Sequence, residues 1–223
     1  DGLMILENDP TEEFKMRYFN ADGGESTMCG NGGRCIALFA EHLGIGGSIK
    51  HFAGIDGLHQ AEMLEVKGNG ARVALGMIDV HEVENHGNYC FLNTGSPHYV
   101  EYVDDVKAID VSRRGAEIRW SEPFASRGGT NVNFVQRIAK DHIRIRTFER
   151  GVEDETLACG TGATASALAT AYLDGIPAHR YQVDVEGGSL SVAFETNSKG
   201  GFCHVILTGP AQKVFEGDIE LDF

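Results

Sequence analysis

The sequence predicts a mixed α+β fold of two pseudo-symmetric lobes, each a mostly antiparallel, barrel-like sheet around a buried central helix. Three observations carry this expectation: a phrase that occurs twice, many short segments of alternating polarity, and two apolar stretches of helical length, one behind each copy of the phrase. The first copy is Phe19-Asn20-Ala21-Asp22-Gly23-Gly24 followed by Met28-Cys29-Gly30-Asn31-Gly32, and it runs into an apolar stretch ending at Leu43-Gly44. The second is Phe148-Glu149-Arg150-Gly151 followed by Ala158-Cys159-Gly160-Thr161-Gly162, and it runs into another, ending at Leu173-Asp174-Gly175. Each copy reads as a strand, a glycine-bearing acidic turn, a cysteine, Gly-x-Gly and a helix. One Cys-Gly-x-Gly is weak, because glycine ahead of a helix is ordinary. Two with matched flanks point to a duplicated unit.

Taken in order, strands are expected at 3–6, 15–19, 48–52, 57–66, 70–75, 89–93, 98–102, 131–137, 142–148, 180–186, 189–195, 202–207 and 212–220. Several alternate as half-buried strands do, for example Arg144-Ile145-Arg146 and Ser189-Leu190-Ser191-Val192. Asn69-Gly70, Gly187-Gly188 and Gly200-Gly201 read as hairpin turns. The first helix carries Ile36, Leu38, Phe39 and Leu43, the second Ala163, Ala165, Ala167, Leu168, Ala169, Ala171 and Leu173. Both are apolar on more than one face, which predicts burial, and each ends at a glycine suited to terminate it. The lobes are expected at 1–85 and 86–223, the first taking back the C-terminal strand. Between Gly95 and Cys159 lie 64 steps, whereas 28 residues precede Cys29. If the two lobes share one layout, roughly 35–40 residues of the first lobe are missing ahead of Asp1.

The chain of 223 residues is 42% hydrophobic, enough for one large or two small cores. With 33 acidic and 19 basic residues its formal charge is −14, which argues against nucleic acid or an anionic membrane surface as partner. No apolar run reaches membrane-spanning length. The five cysteines, Cys29, Cys35, Cys90, Cys159 and Cys203, are odd in number and irregular in spacing, unlike a secreted disulfide framework, so a reducing cytoplasm is expected. None sits in a zinc-type Cys-x2-4-Cys pair, and no metal is expected. Cys35, Cys90 and Cys203 read as small buried apolar residues.

Cys29 and Cys159 read differently. A cysteine at a helix N-terminus has its thiolate stabilised by backbone N–H groups and the helix dipole. The same N–H groups cradle an anion, and glycine lets a ligand come close to the backbone. Two such sites facing one cleft can hold a carboxylate between two helix starts, its α-carbon between two sulfurs. One thiolate takes the α-proton from one face, and the other sulfur, as thiol, returns a proton to the opposite face. That inverts the carbon, while the helix N–H groups stabilise the charge gained by the carboxylate.

Met28-Cys29-Gly30-Asn31-Gly32-Gly33-Arg34-Cys35, Glu149-Arg150-Gly151 and Ala158-Cys159-Gly160-Thr161-Gly162 closely resemble the two signatures of the diaminopimelate epimerase family. The likeness extends to Phe19-Asn20-Ala21-Asp22-Gly23, Gly95-Ser96-Pro97-His98 and Asn131-Val132-Asn133-Phe134-Val135, and so covers essentially the whole chain. It implies the fold of that family and epimerisation of LL- to meso-diaminopimelate without a cofactor, in a cytoplasmic homodimer. It implies Cys29 and Cys159 as the acid/base pair, His98 and Glu149 as further catalytic residues, and Gly30, Asn31, Gly160 and Thr161 as the carboxylate cradle. Asn20, Asn131, Glu149 and Arg150 are then partners of the distal amino-acid end, where Arg150 offers a fork for a carboxylate and Glu149 an acceptor for an ammonium group. Ser96 is carried as a substrate contact, although the family usually has Asn there. The family's Gly-Asn-Asp-Phe segment is absent, and another contact position, often Gln, aligns with Gly2.

Three other readings compete. A proline or hydroxyproline racemase-like enzyme has the same chemistry but tends to carry His in place of Asn31 and lacks the Glu149-Arg150 pair. A thiol redox protein would use Cys29 and Cys159, with no Cys-x-x-Cys to support it. An inactive structural relative is favoured by the late start of the first lobe.

Overall fold

The computed structural model of the protein describes residues 2–20, 23–27, 29–175, 180–198, 200–218 and 220. Ala21, Asp22 and Met28 of the first phrase, and Ile219 in the last expected strand, lie outside the described residues. The elements are β1 (Gly2–Glu7), β2 (Phe14–Asn20), β3 (Glu25–Ser26), α1 (Gly30–His42), β4 (Ile49–Gly54), β5 (Gly57–Lys67), β6 (Gly70–Gly76), β7 (Glu84–Asn85), β8 (Cys90–Asn93) and β9 (Pro97–Tyr102). They continue with α2 (Val111–Arg119), β10 (Asn131–Ala139), β11 (His142–Glu149), β12 (Asp154–Thr156), α3 (Gly160–Asp174), β13 (Arg180–Val185), β14 (Gly188–Thr196) and β15 (Phe202–Gln212). The fold is mixed α+β with few helices. Two compact units emerge: one of residues 1–28, 32–74 and 210–223, the other of 29–31 and 75–209.

In the first unit the strands run β1-β2-β4-β5-β6, with β3 beside β2. β1–β2 and β4–β5 are antiparallel, whereas β2 and β4 are parallel. Phe14 and Phe52, paired across β2 and β4, stack with ring centroids 5.0 Å apart in the core of this unit. On α1, Ile36, Ala37, Leu38 and Ala40 are buried, while Cys35, Phe39 and Leu43, spaced by four, form an exposed stripe. The expected burial on more than one face holds except along this stripe, which corrects the expectation of a buried Cys35; a four-residue stripe is one face of a helix. The buried Lys50 ammonium sits behind the end of α1, donating to Ile45 O and Gly47 O at 2.8 Å and to Glu41 at 2.6 Å. With three acceptors its three donors are all used, the condition under which a lysine can be buried.

In the second unit the order is β15-β14-β13-β11-β10-β9-β8-β7, with β12 beside β11. The β9–β10 and β11–β13 pairs are parallel; β7–β8, β8–β9, β10–β11, β11–β12, β13–β14 and β14–β15 are antiparallel. The sheet surrounds α3, which touches β8, β9, β10, β11, β13 and β14. Alanine favours helix and is small, so Ala163, Ala165, Ala167, Ala169 and Ala171 let strands approach from all sides, and all five are buried with Leu168. Gly175, in the left-handed region at φ 60°, ends the helix. Cys90 is buried against this core; Cys203 is only partly buried, another departure from expectation.

Two differences from the sequence reading are local. α2 is not among the expected elements, although Asp110 caps it through Arg113 N and Val111, Gly115 and Arg119 are buried at helical spacing. Its inner face packs on Phe148, against which a Cβ at Gly115 would clash. The strand expected at 212–220 does not form among the described residues; β15 instead runs on through Gly209-Pro210 to Gln212. Leu207, Gly209 and Ala211 alternate inward, so the strand period carries across a dipeptide that reads as a break.

Two backbones of the second unit come close at Gly30 and Gly160. A Cβ on Gly160 would fall 2.9 Å from Gly30 Cα and 2.9 Å from Leu207 Cδ2, and a Cβ on Gly30 would meet the same leucine at 2.7 Å and Gly160 Cα at 2.9 Å. Gly160→Ala is therefore expected to cost about 1–3 kcal/mol of stability, seen as a lower urea midpoint. Gly47→Ala, where a Cβ meets nothing nearer than 4.0 Å, should stay within about 0.5 kcal/mol of wild type.

Candidate active site

Each cysteine of the repeated phrase stands immediately before a helix, Cys29 before α1 and Cys159 before α3. Cys159 is the cap residue of α3: its backbone is extended and its sulfur accepts from Gly162 N at 3.4 Å. The N–H groups of Gly160 and Thr161 open the first turn, where no carbonyl four residues back lies within the helix. The second glycine of the phrase also has a reason: a Cβ at Gly162 would run into Asn133 Oδ1. Gly160 thus admits the other helix start and Gly162 admits Asn133. At the first helix start, Asn31 Nδ2 donates to Ala158 O at 2.9 Å, which ties that turn to the loop just before Cys159. Cys29 is near enough for its charge to act on Cys159.

Around Cys159 the polar groups are connected. Thr161 Oγ1 lies 3.4 Å from Cys159 Sγ. Ser96 Oγ lies 3.3 Å from Thr161 Oγ1 and 3.0 Å from His98 Nε2. On the far side of the imidazole, Asn133 Nδ2 is 3.1 Å from His98 Nδ1. Asn131 Nδ2 donates to Ser96 Oγ at 3.1 Å and to Pro97 O at 3.0 Å, while its Oδ1 accepts from Arg150 N at 2.8 Å. Thr94 Oγ1 donates to Thr161 O at 2.9 Å, holding the turn after β8 against the start of α3. His98 and Asn133 are wholly buried and Asn131 nearly so.

The electrostatics follow from that burial. His98 is pushed down to about 3, first by desolvation and then by the nearby Arg150 charge, so its ring is neutral throughout the physiological range. Cys159 is pushed up to about 12, first by burial and next by Glu149; hydrogen bonds from Thr161 and Gly162 oppose the shift. Burial also raises Glu149, against hydrogen bonds from Thr156 and Cys159. Thr156 Oγ1 reaches Glu149 Oε2 at 2.9 Å. The Cys159 sulfur therefore has the Gly162 N–H and the Thr161 hydroxyl as hydrogen-bond partners and the Glu149 charge nearby.

Of the residues expected from the sequence, Cys29, Gly30, Asn31, Ser96, His98, Asn131, Glu149, Arg150, Cys159, Gly160 and Thr161 all belong to the second unit. Asn20 belongs to the first, at the exposed end of β2, where its backbone closes a turn with Gly23 and Gly24. The Arg150 side chain is exposed and forms no ion pair among the described residues. Sequence reasoning passed over Asn133 and Thr94. Asn133 alternates with Asn131 along β10 and so faces the same side, a signal already present in Asn131-Val132-Asn133. Among the described residues, the group with metal-ligand spacing is Glu195, Cys203 and His204, whose ligand atoms lie within 4.8 Å of one another. It shares no residue with the thiol site.

Two outcomes follow. Glu149→Gln removes a negative charge beside Cys159 while keeping the shape, so the Cys159 thiol should ionise more easily. Alkylation of the Cys159 peptide at pH 9, followed by mass spectrometry, should speed about threefold for each half unit of pKa lost. An unchanged rate would remove Glu149 from the ionisation of this thiol. For His98, the folded value lies below the unfolded value of 6.5, so its contribution to stability is present above that pH and is lost as pH falls toward 3. The slope is about 1.4 kcal/mol per pH unit at most. Urea unfolding at pH 7.5, 6 and 5 should show the gap between wild type and His98→Gln narrowing as pH falls.

Comparison with known proteins identifies the family of the chain. The family model described as diaminopimelate epimerase matches residues 1–77 and 90–214. Diaminopimelate epimerase from Flavobacterium psychrophilum is 47% identical over 219 residues, 98% of this chain and 83% of that protein. The enzyme of the same name from Aquifex aeolicus is 42% identical over 234 residues, 97% of this chain and 79% of that protein. Among solved structures, a PhzF-family phenazine biosynthesis protein from Bacillus anthracis superposes with a TM-score of 0.74 at 11% identity, covering 96% of this chain and 85% of that one. A hydroxyproline epimerase from Agrobacterium vitis gives 0.69 at 17% identity, with 96% and 74% covered. The two structures share the fold, and the sequence match goes further: this chain belongs to the diaminopimelate epimerase family.

Proposed function

We propose that the protein epimerises LL-2,6-diaminopimelate to the meso form by proton transfer between two cysteines at the α-carbon. The observation that carries this is the pairing of Cys29 and Cys159, each at the start of a helix, with those starts in contact through Gly30 and Gly160. Epimerisation needs a base on one face of the carbon and an acid on the other, and two sulfurs on opposite sides of an α-carbon whose carboxylate rests on the helix starts would meet that need. Relatives 47% and 42% identical over nearly the whole chain bear the name of this enzyme.

In this reading the reacting carboxylate lies against the helix starts at Gly30, Asn31, Gly160 and Thr161. There the N–H groups stabilise the charge that builds up as the α-proton leaves. Burial keeps Cys159 protonated at neutral pH, so it is ready as the acid when Cys29 is the base. In the opposite direction the Cys159 proton passes to Glu149, the carboxylate whose charge bears on that thiol. Asn131 positions Arg150 through the Arg150 N–H, leaving the guanidinium for the distal carboxylate, with Glu149 near the ammonium. Asn20 is carried as a further contact on the resemblance alone. A cytoplasmic homodimer is part of the same proposal; five cysteines, odd in number and irregularly spaced, fit a reducing compartment.

The test is incubation with LL-diaminopimelate in deuterated water without added pyridoxal phosphate, following deuterium at the α-carbon and loss of optical activity. Wild type is expected to exchange and epimerise, and Cys29→Ala or Cys159→Ala to lose about 10²–10⁴-fold. Turnover of proline with none of diaminopimelate would replace this function with a proline racemase-like one.

A further inference from the structure

The polar chain beside Cys159 has one direction, and the direction can be worked out from its ends. Tyr99 O, a pure acceptor, lies 2.9 Å from Asn133 Nδ2, and Thr147 Oγ1 donates to Asn133 Oδ1 at 3.0 Å. This orients the amide: its nitrogen, not its oxygen, faces both Tyr99 O and the imidazole. One amide hydrogen goes to Tyr99 O, so the other goes to His98 Nδ1. Nδ1 must therefore be the bare nitrogen, and the proton of the neutral ring sits on Nε2, pointing at Ser96 Oγ.

Asn131 is oriented by the same logic. Its oxygen accepts from Arg150 N, and its nitrogen donates to Pro97 O and Ser96 Oγ. Ser96 Oγ thus receives two hydrogen bonds, one from His98 and one from Asn131. Its own hydrogen has a single remaining acceptor, Thr161 Oγ1. Thr161, having accepted, turns its hydrogen to Cys159 Sγ. The sulfur also receives Gly162 N–H, so two donors face it.

We propose that Ser96 is a positioning residue that passes hydrogen-bond polarity from His98 and Asn131 to Thr161, so that Cys159 Sγ always accepts from Thr161. Ser96, expected from the sequence as a substrate contact, has its donor and both lone pairs occupied by protein groups. His98 acts through Ser96 and is a positioning residue of the same kind. Asn133 sets the tautomer on which the whole direction depends. The charged and titratable groups that bear on Cys159 are Glu149 of β11 and Cys29 ahead of α1; Arg150 acts on His98. A hydroxyl is the smallest group that accepts twice and donates once, and Ser96 uses all three capacities here.

The proposal rests on the assigned reaction for its kinetic arm and not for its chemical one. Ser96→Ala removes the donor to Thr161, whose hydroxyl is then free to turn away from the sulfur. Alkylation of the Cys159 peptide should shift to higher pH, about threefold slower at a fixed pH near 9. With LL-diaminopimelate, kcat should fall with KM nearly unchanged, and Ser96→Thr should restore both readouts. A raised KM with an unchanged alkylation profile would make Ser96 a substrate contact and overturn the proposal, as would no change in either. A shifted alkylation profile in a protein inert toward diaminopimelate would support the relay and sink the assigned reaction instead. A measurement on the unaltered protein guards against a misfolded variant: two-bond nitrogen–proton correlation of the histidine rings, with His98 assigned by its absence in His98→Gln. The Nε2–H tautomer from pH 5 to 8 is expected; an Nδ1–H or a charged ring would overturn the proposal.

Discussion

The contact of Gly30 with Gly160 is the constraint from which the rest of the site follows. Backbones approach this closely only where neither residue has a Cβ. Leu207 closes the remaining space, with Cδ2 where either Cβ would stand. Because each helix starts one residue after a cysteine, bringing the two first turns together brings the two sulfurs together as well. The position of the thiols is thus set by packing in a sheet-wrapped core, a stiffer support than a loop. The all-but-continuous burial of α3 serves the same end, since a helix enclosed by six strands has little freedom to shift its first turn.

That burial creates an electrostatic problem. A thiol used in proton transfer must change charge, yet a dry site disfavours the thiolate, and Cys159 shows it. The structure offsets the cost with donors rather than with a positive charge. Thr161 and Gly162 face the sulfur, and behind Thr161 stands a train of neutral groups, Ser96, His98, Asn131 and Asn133, every one hydrogen-bonded. A fully satisfied buried network is rigid and holds one orientation of each group.

Much of this was legible in the sequence. Repeated Cys-Gly-x-Gly marked both helix starts, alternation marked most strands, and alanine density marked α3 as buried. Errors arose where local signals and tertiary context disagree. Gly209-Pro210 looks like a strand end, yet β15 runs on to Gln212 because Gly209 and Ala211 keep their places in the buried row. Leu43, Phe39 and Cys35 look like core, yet they share one exposed face of α1. α2 is short and mostly charged, so its cap at Asp110 was the one clear sign of it. At the site, Ser96 appeared as a weakened version of a family asparagine, because a sequence shows side-chain size and not hydrogen-bond partners.

The sequence by itself determined that the key features come in twos: two thiols, two glycine-opened helix starts, and an asymmetric pair of flanks in Asn20 and Glu149-Arg150. These are covalent and local facts, readable because spacing along the chain is preserved on folding. Tertiary structure alone decided the proton directions. Whether His98 donates or accepts at Nε2 depends on Tyr99 O, Asn133 and Thr147, brought together by the register of β9, β10 and β11. Hydrogen bonds have polarity, and polarity is set by where a chain of donors ends in space, which no spacing along the sequence records.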